Sequence, residues 1–126
     1  MELDQLTHIL LGRPGAVEER PFGPDILVYK VMGKMFALVS WTESPLRINL
    51  KCDPDEALLL RQLYPGAVIP GYHMNKRHWN TVILDGRVPD QEVEAMIDDS
   101  YALVVKGLRK ADRAALERLS QSGREA

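Results

Sequence analysis

Residues Leu46–Tyr64 read LRINLKCDPDEALLLRQLY, and the period of the apolar residues changes in the middle. Leu46, Ile48, Leu50 and Cys52 alternate with Arg47, Asn49 and Lys51. Period two is the mark of a strand with one buried face, and here the other face presents Arg47, Asn49 and Lys51 in a row. The chain then switches at once to helix chemistry. Asp53 is placed to cap, Pro54 suits the first helical position, and Glu56 stands where a capping box needs it. Leu59, Leu60 and Leu63 are the expected buried stripe, and Pro65-Gly66 stops the helix. A half-buried strand feeding a capped helix belongs to an α+β domain, an antiparallel sheet with helices packed on one face.

The flanking sequence extends this unit in both directions. Leu3, Leu6, Ile9 and Leu10 predict an amphipathic helix over residues 3–11, ended by Gly12, Pro14 and Gly15. EERPFGPD, residues 18–25, reads as an irregular approach punctuated by Pro21, Gly23 and Pro24. ILVYKVM and MFALVSW are β-rich runs joined by Gly33-Lys34, a two-residue link that predicts a tight hairpin with positive φ at its first position. Beyond the helix, TVILDG is a short strand closed by an Asp-Gly turn. Pro89, Asp90 and Glu92 open a long helix whose apolar positions are Val93, Met96, Ile97, Tyr101, Val104 and Leu108. Gly107 breaks it before a final helix over KADRAALERL. The expected order is helix, three strands, helix, strand or strands, helix, helix. Residues 1–120 form one domain, and 121–126 are expected to fray.

At 126 residues the chain can bury one core and not two. No apolar run approaches the roughly 20 residues a membrane span requires. The acidic, amphipathic N-terminus does not read as a secretory signal, so the chain is expected to be cytoplasmic. Cys52 is the single cysteine, which excludes an intramolecular disulfide and a cysteine-based zinc cage. Net charge is −2, but the charges are segregated. Residues 26–52 carry four cations against one acid, and residues 71–87 three against one. Local potential steers a partner, so an acidic chain can still present one positive surface.

The segment GYHMNKRHWNTVILDG, Gly71–Gly86, concentrates His73, Asn75, Lys76, Arg77, His78 and Trp79. A metal site is disfavoured, because no third ligand accompanies the histidines and Lys76 and Arg77 would repel a cation. Acid–base catalysis has a histidine for a shuttle but no recognisable nucleophile–base pair or phosphate loop. Cys52 sits before a helix N-terminus, yet its alternation with Leu50 makes it a buried thiol. No cofactor is expected, and an enzymatic activity stays open as the less favoured alternative. Anion recognition fits the donors best, with Trp79 as a surface on which a base could stack. A purely structural reading stands beside it: Trp79 covering a core edge and the polar side chains bonding loop carbonyls.

Three stretches taken together, PFGPDILVYKVMGKMFAL, INLKCDPDEALLLR and GYHMNKRHWNTVILDGRVPD, resemble the MmcQ/YjbR family of small bacterial proteins. The resemblance runs from about Leu6 to about Leu108 and is most specific from His73 to Val82 and at Leu84-Asp85-Gly86. It implies a CyaY-like, frataxin-like α+β fold and a DNA-binding role in which β-hairpins serve as a double wing. Iron handling does not carry over, since Glu2 and Asp4 are the only acids of the first helix. For DNA, Arg47, Lys51, Lys76 and Arg77 would meet phosphates, Lys30 and Lys34 would be wing contacts, His73, Asn75 and His78 would position the backbone or touch base edges, and Trp79 would stack or wedge. The runner-up is a pocket, binding or enzymatic, for a small anionic or phosphorylated ligand built on Lys51, His73, Asn75, Lys76 and His78. A third reading is a protein–protein adaptor with Trp79 as its hot spot. No membrane partner is expected, and the chain is expected to act as a monomer.

Overall fold

The computed structural model describes residues 1–71 and 74–125. The elements are α1 (Leu3–Leu11), β1 (Ala16–Glu19), β2 (Ile26–Val31), β3 (Lys34–Ser40), β4 (Arg47–Lys51), α2 (Pro54–Leu63), β5 (Val68–Pro70), β6 (Trp79–Ile83), α3 (Asp90–Lys106) and α4 (Lys110–Glu125). Six strands form one sheet in the order β1-β2-β3-β4-β6-β5, with every neighbouring pair antiparallel. The α+β expectation holds, with β1 and β5 added at the two edges. No helix among the described residues is long and apolar enough to cross a membrane.

Alternation along the strands gives the sheet two unlike faces. Leu27, Tyr29, Val31, Ala37, Val39, Ile48, Leu50 and Val82 point into the main core, where Leu6 and Leu10 of α1, Val93, Ile97 and Val104 of α3, and Leu116 of α4 meet them. Among the described residues, the opposite face carries no helix. Its own smaller cluster is Val28, Leu38 and Trp79, with Ile26, Met35 and Met74 packed against them.

Two local readings are corrected. The hairpin between β2 and β3 turns at Met32-Gly33, one residue earlier than expected, because Val31 pairs with Lys34. Both turn residues have positive φ, 48° and 81°, the geometry whose twist matches the flanking strands. In α2, Asp53 Oδ1 accepts the Asp55 N–H at 3.1 Å and Pro54 opens the helix, as the sequence indicated. The buried side of α2, however, is Ala57 with Leu60 and Tyr64, and Leu59 and Leu63 are more than half exposed. α4 spans Lys110–Glu125.

Candidate basic surface at one end of the sheet

β4 and β6 pair from Arg47↔Ile83 to Lys51↔Trp79, so the residues before Trp79 stand beside the residues after Lys51. One further bond extends the ladder: the Cys52 N–H donates to the His78 carbonyl at 2.7 Å. The residues between are wound tightly. The His78 and Trp79 N–H groups both donate to the Asn75 carbonyl, at 3.1 and 2.9 Å, and Asn75 Oδ1 accepts the Arg77 N–H at 3.0 Å. An asparagine that bonds its own backbone two residues on is a turn former, and here it throws Lys76 and Arg77 outward, both exposed.

Two devices fix this turn to the domain. The Gly71 N–H donates to the Trp79 carbonyl at 2.9 Å, and a Cβ at Gly71 would stand 2.8 Å from Trp79 Cβ. Only glycine permits that approach. The second device is Arg61 of α2. Its Nε donates to Asn80 Oδ1 at 2.7 Å, and one terminal nitrogen donates to the Lys76 carbonyl and reaches the Trp79 carbonyl at 3.5 Å. Asn80, itself buried, donates onward to the Ala57 carbonyl at 3.3 Å. Nothing in the spacing of α2 singles out Arg61, because its partners are carbonyls and an amide brought close only by folding.

Ser100 of α3 performs a similar task for β4. It is fully buried, donates to the Phe36 carbonyl at 2.6 Å and accepts the Lys51 N–H at 2.9 Å. The last ladder pair of β3 and β4 is Ala37↔Leu50, so the hydroxyl bridges the strands where their own pairing stops. Lys51 is thereby held at the sheet end beside the Asn75–His78 turn.

The donors named from sequence divide accordingly. Lys51, Lys76, Arg77 and His78 converge at one sheet end, and Lys34 begins the neighbouring strand β3 at that same end. Lys30, on β2, is tied to Glu19 at 2.8 Å. Arg47 lies at the other end of β4, about 13 Å along the strand from Lys51, and pairs with Glu43 at 2.9 Å. The single row Arg47, Asn49, Lys51 is therefore not one patch: Asn49 accepts a hydrogen bond from Thr81 at mid-sheet. Asn75 shapes the turn. His73 lies outside the described residues. Trp79 is 8% exposed, packed on Val28 and Leu38, so its ring offers neither a stacking platform nor an adaptor hot spot. Acids limit the surface on its helix side, where Asp53, Glu56 and Asp99 flank Cys52. Burial, reinforced by those carboxylates, pushes the Cys52 thiol up to about 11, which keeps it protonated and unreactive near neutrality.

A sheet covered on one side and ending in a turn of exposed cations defines a small α+β domain with a basic end. The YjbR family model matches residues 11–103, and the chain belongs to that family. It is 45% identical over 93 residues to the uncharacterized protein YbdF of Escherichia coli O157:H7, covering 74% of this chain and 75% of that one. It is 34% identical over 119 residues to the uncharacterized protein YjbR of Escherichia coli K12, covering 94% and 100% respectively. Among solved structures, the Deinococcus radiodurans protein DR2400 superposes with a TM-score of 0.86 at 42% identity, over 92% of this chain and 88% of that one. A Pseudomonas syringae protein gives 0.70 at 27% identity, over 82% and 98%.

Proposed function

We propose that the protein binds DNA weakly and chiefly through phosphates, using the sheet end formed by Lys34, Lys51, Lys76, Arg77 and His78. The observation that carries the reading is the Cys52-to-His78 bond with the Lys51↔Trp79 pairing, which supports a common surface for cations from two separate segments. In this reading the Met32-Gly33 hairpin and the Asn75–His78 turn are the two wings of a CyaY-like domain. Lys30 joins only by exchanging Glu19 for a phosphate, and Arg47 takes no part.

Few cations and a net charge of −2 set the strength. Affinity at physiological salt falls in the non-specific range, about 10⁻⁴–10⁻⁶ M, and four neutralised phosphates give a log–log salt slope of about −3 to −4. Fluorescence anisotropy with a random-sequence duplex across a salt series measures both. The double substitution K76A/R77A should weaken binding alike for all sequences and flatten the slope by about 2. A slope near zero, or no binding at low salt, overturns the reading. The second reading, a small phosphorylated ligand on the same turn, draws on the closeness of Lys51 to His78. It would instead show a thermal shift with nucleotides or sugar phosphates.

A further inference from the structure

The helix-free face of the sheet holds a groove that the basic end does not use. It has a volume of about 520 Å³ and lies between the segment carrying Phe22 and Asp25, the β3–β4 turn, and Met74. A polar recess of about 270 Å³ adjoins it, the two sharing Ser40, Glu43 and Asn49. The size is that of a small-molecule site, within the usual range of about 300–1,000 Å³. The groove is also amphipathic. Phe22, Ile26, Leu38 and Met74 give one apolar flank, and Phe22 is 59% exposed, a large aromatic left facing water.

The walls are tied in place without a ligand. Trp41 Nε1 donates to the Pro24 carbonyl at 2.7 Å, joining the segment that carries Phe22 and Asp25 to the β3–β4 turn. The floor is braced by the hydrogen bond from Thr81 Oγ1 to Asn49 Oδ1. A groove held open in this way asks little ordering of a ligand.

Its charge selects the ligand class. Among the described residues, the charged groups lining groove and recess are Asp25, Glu43 and Arg47. Glu43 and Arg47 neutralise each other at 2.9 Å, and Asp25 makes no ion pair among the described residues. The described residues leave one net negative charge at the polar rim of an apolar slot, beside the Ser40 and Thr42 hydroxyls. We propose that this groove is a binding site for a small amphipathic amine. The aromatic or branched aliphatic body lies against Phe22, Ile26, Leu38 and Met74, and the ammonium donates to Asp25 with the hydroxyls as further acceptors. The site is separate from the DNA surface and stands or falls without it.

Three probes with one ring and three charges test the assignment: phenethylamine, phenylalanine and 3-phenylpropionate, each titrated into the whole protein while amide resonances are followed. Phenethylamine should give saturable shifts at Leu38, Ser40 and Asn49, with an apparent affinity at least fivefold above that of 3-phenylpropionate. Asp25→Asn, at an exposed position that leaves folding intact, should weaken the amine at least fivefold, and K76A/R77A should leave it unchanged. Equal or better binding of the carboxylate or the zwitterion, shifts elsewhere, or no saturation at millimolar amine overturns the proposal.

Discussion

Replacing Arg61 by alanine removes the link between α2 and the turn that carries Lys76 and Arg77. The bond from Arg61 Nε to Asn80 Oδ1 is 2.7 Å long and its acceptor is only 3% exposed, so water cannot replace it freely. A hydrogen bond from a charged donor contributes about 1.5–3 kcal/mol net, and an orphaned buried acceptor costs about 1–3 kcal/mol. These overlap, and the Lys76 carbonyl regains water, so Arg61→Ala should lower stability by about 2–4 kcal/mol. That is a large share of the 5–15 kcal/mol of a typical domain. Arg61→Lys should recover only part of it, because one ammonium cannot span an amide and two carbonyls as the planar fork does. Urea unfolding followed by tryptophan fluorescence gives the midpoints. A double-mutant cycle with Asn80→Ala should return a coupling of about 1 kcal/mol or more. A loss below about 0.5 kcal/mol for Arg61→Ala, or a coupling near zero, refutes the staple.

Three further outcomes follow from the same contacts. Ser100→Ala strands the Lys51 N–H and the Phe36 carbonyl in the core and should cost about 2–4 kcal/mol in urea unfolding. Gly71→Ala places a methyl 2.8 Å from Trp79 Cβ and 2.9 Å from its carbonyl, and should cost about 1–3 kcal/mol and alter Trp79 emission. Burial raises Tyr29 to about 12 and Cys52 to about 11, both above their ordinary values. The native state therefore holds these protons more tightly, and the associated stability is complete below about pH 9 and lost as pH rises from 9 to 12. Urea midpoints at pH 7.5, 9 and 10.5 should fall only over the last step, and Cys52→Ser with Tyr29→Phe should flatten that fall.

Local chemistry was the legible part of this chain. The alternation in Arg47–Lys51, the Asp53 cap and the Gly107 stop need only near neighbours, and the structure keeps all three. β1 leaves no alternation in the sequence, because Ala16–Glu19 is an edge strand exposed at three of its four positions. β5 is three residues ending in Pro70, too short to carry a period. The buried stripe of α2 differs from the expected one for another reason. Ala57, Leu60, Arg61 and Tyr64 share one helical face, Leu59 and Leu63 lie on another, and hydrophobicity favours the leucines. The face turned to the sheet is the one with small Ala57, whose carbonyl Asn80 bonds while Arg61 donates to Asn80. The site divided in the same way. Lys51, Lys76 and Arg77 were visible as cations, but Arg47 was separated from them by strand length and an ion pair, and Trp79 was drawn inward by contacts with distant Val28 and Leu38.

Amide chemical-shift mapping with a short duplex at low salt tests the central claim most directly. The account requires perturbations grouped at Lys34, Lys51 and Lys76–His78, fading as salt is raised, with Arg47 and Asp25 unmoved. Shifts centred on Arg47 or on α4, or a spectrum unchanged by duplex at low salt, would contradict it.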